Sequence, residues 1–212
     1  MMKGGFTVTQ EELEARVTRL EDIAEIVKLQ ARYSHIYHMM DLEAVVDMFA
    51  QKTPGVTVEI SDSGVYEGIE GVRKIFTAAL AQRSQERAVG WFVLHMSQNP
   101  VIEINRDGKT ARGLWHCPGF MNGVEDGKVV PLLVLGKYAN DYVKEDGRWK
   151  FWHFHFYLTF RTPFTMGWIE RPVVGSMAGF TGVEPSNPGT YYMPYHPDRI
   201  NMFLPPPPEP ES

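Results

Sequence analysis

The sequence predicts an α+β domain in which three helices are followed by a bent antiparallel sheet. Three observations predict it. Helix-period segments fill the chain up to about Arg87. Four long strand-like runs follow, Trp91 to Asn105, Thr110 to Asn122, Lys128 to Lys144 and Arg148 to Thr162. Short Gly-containing segments separate them: Arg106-Asp107-Gly108, Gly123 to Gly127, and Glu145-Asp146-Gly147. Helices first and a strand meander second is an α+β layout.

Thr9 and Glu12 form a capping box for the first helix, with Val8 and Leu13 as its staple. Leu13, Val17, Leu20, Ala24, Val27 and Ala31 then recur at steps of four and three. This narrow seam packs on its own sheet or on a second subunit; own-sheet packing is the simpler expectation. Asp41 caps a second helix, Leu42 to Phe49. Val56, Val58 and Ile60 alternate as a short strand, and Gly64 to Gly68 returns. Ile69 to about Arg87 reads as a third helix, with Val72, Ile75, Phe76, Ala79 and Leu80 on one face. Residues 1–162 form the domain, and residues 163–212 a Pro- and aromatic-rich extension. With Phe164, Met166, Trp168, Ile169, Phe180, Tyr191, Tyr192 and Tyr195, the extension is too apolar for a loose linker. It is expected to lie across the domain or a neighbouring subunit and to cover the pocket mouth.

Composition bounds the function. The chain has 212 residues, 43% hydrophobic, and a net charge of −5 with no basic block, which argues against a nucleic-acid partner. The single cysteine, Cys117, permits no internal disulfide and fits a reducing compartment. Met1 to Gln10 lacks the apolar stretch of a signal peptide, and no apolar run reaches about 18 residues, so a cytoplasmic protein off the membrane is expected. There is no Gly-x-Gly-x-x-Gly after a strand, no phosphate loop and no Gly-x-Ser-x-Gly elbow. No bound cofactor is expected.

Three polar clusters remain. Tyr33 and Tyr37 share a face at the end of the first helix, beside His35, His38 and Asp41. His95 and His116 lie on consecutive strands. Counting out from the turn sets His95 opposite about position 118, so His116 shares its face, flanked by Trp91, Val93, Leu94 and Leu114. In an apolar pocket, small shifts would make one imidazole an acid and another a base; the pair reads equally as satisfied core histidines. His153 and His155 lie two apart in a strand, hence on one face. His-x-His points to a metal, but no carboxylate partner is visible in the strand pattern, and no metal is expected. Lys137, among Leu133, Leu135 and Ala139, either snorkels outward or donates to an anionic substrate group. Arg161 shares that apolar strand context.

Several segments together resemble the SnoaL-like branch of the NTF2-like superfamily. They are Ile26 to Tyr33, Asp41, Val45-Val46-Asp47-Met48-Phe49, Tyr66-Glu67-Gly68-Ile69-Glu70-Gly71-Val72, Asp107-Gly108-Lys109-Thr110-Ala111, Gly136-Lys137-Tyr138 and Asp146-Gly147-Arg148-Trp149-Lys150. The resemblance spans about Leu20 to Arg161. It implies a cone: a curved antiparallel sheet wrapped around a long N-terminal helix, with two shorter helices. It also implies a homo-oligomer, trimer or dimer. Scytalone dehydratase, a member, is similar in its site pattern, which falls on Tyr33, His95 and His116 here. Many relatives carry an acid where this chain has His38, which shifts the work to histidine, tyrosine or lysine and leaves Asp41 as a cap. His38, the aromatic crowding and the long extension also resemble the diarylpropane γ-formaldehyde lyases of lignin breakdown, which act without cofactors on phenolic diols.

The resemblance and the residues together give a cofactor-free lyase on a hydroxylated aromatic molecule. His95 or His116 protonates a benzylic leaving group, His38 or Tyr33 is the base, and Lys137 or His153 holds a phenolate. Tyr37, Trp91 and His155 complete the substrate contacts. Rival readings are a scytalone-dehydratase-like dehydratase, a non-catalytic binding domain and the small subunit of a ring-hydroxylating oxygenase.

Overall fold

In the computed structural model, which describes residues 8–81, 90–178 and 182–211, helix α1 runs Gln10–Met39. It begins on the capping box: Glu12 N–H donates to Thr9 Oγ1 (3.1 Å) and Thr9 N–H to Glu12 Oε2 (2.8 Å). Most of the apolar seam does not face the sheet, and within it Val27 packs against the core. Leu13, Val17 and Leu20 are 49%, 44% and 67% exposed, and Ala24 and Ala31 are exposed too. The buried stripe is Asp22, Ile26, Gln30 and Tyr33. Its polar members are satisfied: Lys144 Nζ and Trp149 Nε1 donate to Asp22 Oδ1, while Asn140 Nδ2 and Tyr142 OH donate to Gln30 Oε1. Counting only apolar letters selects the wrong stripe because half of the true one is polar.

Helix α2 covers Leu42–Val46, with Ala44 N–H donating to Asp41 Oδ1 at 3.2 Å. It stops short of the expected Phe49, which forms a parallel bridge with Phe151 instead. β1 (Thr57–Ile60) and β2 (Val65–Glu67) form an antiparallel pair, and α3 (Gly68–Ala81) follows, burying Val72, Ile75 and Phe76. The expected continuation to Arg87, and the side chains of Ala79 and Leu80, lie outside the described residues.

The run from Trp91 to Asn105 is two strands. β3 (Val93–His95) and β4 (Gln98–Ile104) both pair with β5 (Thr110–Glu125), and the register shifts between Gln98 and Val101. β6 (Lys128–Glu145) and β7 (Arg148–Pro163) complete the meander. The two-residue turns Asp126-Gly127 (φ 49° and 73°) and Asp146-Gly147 (φ 49° and 74°) have both residues at positive φ, the type I′ geometry that matches strand twist. Gly123 is therefore not part of a turn. It pairs with Val130 inside the ladder, where a Cβ would come 2.7 Å from Leu132 Cδ1.

The seven strands make one sheet, ordered β2-β1-β7-β6-β5-β3, with β4 also on β5. It is mixed rather than purely antiparallel, because β1 joins β7 in parallel, Val58 opposite Phe154. Bulges between Leu135 and Gly136, and between Asp141 and Tyr142, interrupt the long β6–β7 ladder. Aromatic rings fill the space between α1, α3 and the inner face; Tyr33 lies 5.0 Å from Phe154, and Phe49 lies 5.3 Å from Phe151.

Beyond β7 the chain first runs beside Arg161, whose N–H donates to Pro172 O and whose carbonyl accepts from Val174 N–H. It then crosses the outer face. Thr190 donates from N–H and Oγ1 to Glu59, Tyr195 N–H to Thr159 O (2.6 Å), and Lys137 Nζ to Phe203 O (2.6 Å). Phe180 lies outside the described residues. Among the described residues no helix is long and apolar enough to cross a membrane.

Candidate active site

Strand alternation decides which side chains reach the interior. Trp115, Cys117, Gly119 and Met121 of β5 face inward, as do Leu132, Val134, Gly136, Tyr138, Asn140 and Tyr142 of β6. With Phe154, Phe156 and Leu158 of β7, and Tyr33 and Tyr37 of α1, they surround or underlie a mainly apolar cavity of about 710 Å³.

His95 lies on its wall. The ring sits between Tyr37 (5.9 Å, 16° between planes) and Phe156 (5.8 Å, 5°). Nδ1 lies 3.2 Å from Tyr138 Oη, and Nε2 is buried without a partner among the described residues. Two glycines make this position. A Cβ on Gly119 would come 2.8 Å from Leu94 O and 2.9 Å from His95 Cδ2. A Cβ on Gly136 would come 2.4 Å from Phe156 Cζ, so its absence lets Phe156 lie flat beneath the imidazole. Ser34 Oγ donates to the His95 carbonyl and ties the strand to α1. Burial, then the positive charge of Arg161, lowers the His95 pKa to about 4, so the ring is neutral at neutral pH.

The phenols around it are neutral as well. Burial holds Tyr33 and Tyr138 well above the usual tyrosine value. A neutral Tyr33 phenol on the cavity wall can donate or accept a hydrogen bond. Burial pushes the Cys117 thiol up to about 12, which leaves it inert.

Of the expected site residues, the cavity gathers Tyr33, Tyr37, Trp91 and His95. His116 is outside it. The true partner of His95 is Gly119, not position 118, and a one-residue slip turns every side chain over. His116 is exposed on the outer face, paired with Gln98 and Lys137. His38 is also outside. It lies one residue, about 100°, round the helix from Tyr37, and its Nδ1–H donates to Val93 O at 2.6 Å while its ring meets Phe92 edge-on.

Lys137, His153 and His155 point outward too. Lys137 Nζ donates to the carbonyls of Phe203 and Pro205. His153 Nδ1 lies 2.7 Å from Asp141 Oδ2, and His155 Nδ1 lies 3.5 Å from Glu59 Oε2. Carboxylate partners thus exist, but they come from neighbouring strands and cannot be seen in the His-x-His strand itself. Among the described residues no group of three or more potential metal ligands forms.

Tyr138, Phe156 and Arg161 also line the cavity, and strand patterning alone does not place them there. Both faces of β6 are apolar, so alternation alone does not say which is inner, and Lys137 drew attention to the wrong one. Arg161 is hidden by a bulge. Leu135 pairs with Phe160 but Gly136 with Leu158, so β7 carries one extra residue, Thr159, and inward positions change from even to odd.

A curved mixed sheet around a long helix, with a histidine in an apolar interior, defines a fold of the NTF2-like class. The SnoaL-like domain family matches over residues 18–155, and the chain belongs to that family. The fold is shared with a candidate scytalone dehydratase from Novosphingobium aromaticivorans (17% identity, TM-score 0.56, 76% of this chain and 98% of that one). It is also shared with a type 2 hexachlorocyclohexane dehydrochlorinase, LinA (20%, 0.58, 70% and 92%), and with the LinA type 3 protein of Novosphingobium barchaimii (19%, 0.58, 70% and 93%). No protein of curated function matches the sequence.

Proposed function

We propose that this chain is a cofactor-independent lyase acting on a hydroxylated aromatic molecule in the cavity, with His95 as the residue that moves the proton. The observation that carries this reading is His95 itself: a neutral imidazole on an apolar wall, oriented at Nδ1 by Tyr138 and free at Nε2 of any described partner. A histidine kept only for packing needs no such polar alignment in so dry a place.

With Nδ1–H donated to Tyr138, the lone pair of Nε2 is the base. It takes a proton from carbon in a dehydration, or from a primary alcohol in a deformylation. In the first case the C–H electrons form the new C=C bond. In the second the O–H electrons form the C=O of formaldehyde, and the broken C–C bond supplies the C=C. In both, the benzylic C–O bond breaks, and its oxygen takes the proton from the imidazolium and leaves as water. An imidazolium with a pKa near 4 gives that proton back readily. Tyr37 and Phe156 orient the aromatic body, and general acid–base help of this kind contributes about 10²–10⁴-fold.

The test is incubation with a panel of phenolic diols, read by ultraviolet absorption for conjugated products and by a formaldehyde assay. Formaldehyde together with a stilbene spectrum selects deformylation, as in the lignin lyases; conjugation without formaldehyde selects dehydration. His95→Ala is expected to lose at least 100-fold in turnover with ligand binding retained, and His116→Ala to stay within twofold. Full activity in His95→Ala would remove this reading.

A further inference from the structure

One cationic side chain in the cavity is not used by that mechanism. Arg161 is only 9% exposed and lies on the cavity wall. Nε donates to Val174 O at 2.6 Å, but Nη2 is buried with no hydrogen-bond partner among the described residues. No carboxylate among them forms an ion pair with this guanidinium. Asp62, whose charge Arg161 feels, is occupied elsewhere, accepting from Ser176 Oγ (2.5 Å) and Met177 N–H (2.7 Å). A buried guanidinium with no ion pair and an unpartnered Nη2 is costly, so a position that retains one points to an anion supplied from outside.

The sheet register fixes where that anion would sit. His95 pairs with Gly119, Gly119 with Val134, and Val134 with Arg161. These four residues form one row across adjacent strands β3, β5, β6 and β7. At about 4.8 Å per strand, the backbones of His95 and Arg161 stand about 14 Å apart, or less where the sheet curls. Between them lie a glycine and a valine, a low apolar floor. At Gly175 there is also no side chain; a Cβ there would come 3.6 Å from Arg161 Nη2. The row thus has a proton-transfer group at one end, a cation at the other and room for an aromatic body between.

We propose that the ligand of this cavity is an aromatic carboxylate whose anionic end meets Arg161 while its ring spans Gly119 and Val134 toward His95. The planar fork of the guanidinium fits a carboxylate better than a single neutral oxygen. This rests on the lyase reading for the role of His95, but its test is binding rather than turnover. Biphenyl-4-carboxylate and the neutral isostere biphenyl-4-carboxamide are titrated into the full-length protein at pH 7.5 by calorimetry. The carboxylate is expected to bind at least tenfold tighter than the amide. R161M, or R161Q should R161M not fold, is expected to bring the acid to the level of the amide, and R161K to keep part of the preference. Equal binding of acid and amide, binding of neither, or a preference that survives R161M or R161Q would overturn the proposal. Acid preference without turnover of any hydroxylated aromatic would sink the lyase reading alone. Turnover of neutral diols without acid preference would sink only this one.

Discussion

A neutral imidazole held between two aromatic rings responds to pH in one direction. The unfolded chain protonates His95 near 6.5, whereas the folded chain resists until about 4. Between those values the unfolded state binds more protons, so stability is full above about pH 6.5 and is lost as pH falls toward 4. The loss from this residue is on the order of 3 kcal/mol. His155, lowered to about 4 by burial against the attraction of Glu59, adds in the same sense. Below that range Glu145 takes over. Burial raises its pKa, but backbone N–H groups of Gln51, Thr53 and Lys52 together bring it down to about 2, so its contribution disappears as pH drops from 4.5 toward 2. Urea midpoints measured from pH 7 to 4 are expected to fall, and to fall less in His95→Leu. At this scale the sequence was legible where residue type was enough: His95, Tyr33, Tyr37 and Trp91 are all in the cavity. It was illegible where parity mattered, because a single step in register separates a catalytic His116 from a solvated one.

Helix α1 and strand β7 show what patterning can and cannot give at the level of elements. The capping box located the start of α1 because its chemistry is local. The buried stripe was hidden because Asp22 and Gln30 are matched by partners far along the chain, Lys144, Trp149, Asn140 and Tyr142. Ile26→Ala should therefore cost about 2–5 kcal/mol, while Leu20→Ala should stay within about 0.5 kcal/mol of wild type, as read from urea unfolding. In the sheet, Gly119 is the element-level determinant of the site. Gly119→Ala should displace His95 and lower turnover at least tenfold, with a much smaller effect on the thermal midpoint. A Gly119→Ala variant with wild-type turnover would show that the close approach is not needed. The β7 bulge that turns Arg161 inward has no sequence signature of its own. It is created by a pairing mismatch against Gly136, and only the ladder reveals it.

Taken whole, the molecule is an order of elements that the sequence states well and a set of long-range joins that it does not. Asp-Gly turns and two-period strands are local, so the β5–β6–β7 meander was readable. The parallel union of β1 with β7, and the path of the extension, depend on residues about a hundred positions apart. Glu59 is the main anchor of that path, accepting from Thr190 and from Tyr191 N–H while facing His155. Glu59→Gln should speed hydrogen exchange at the Thr190 and Tyr191 amides at least tenfold and leave amides of β6 protected. The same anchor has a kinetic consequence. Its bonds close loops of 131 and 132 residues, while the hairpins beneath close over a few. Ordering by loop length makes the Thr190–Tyr191 stretch later to set on refolding than the hairpins, and earlier to come loose on warming. A newly folded chain should therefore pass through a stage with its cavity formed and its outer sheet still wet.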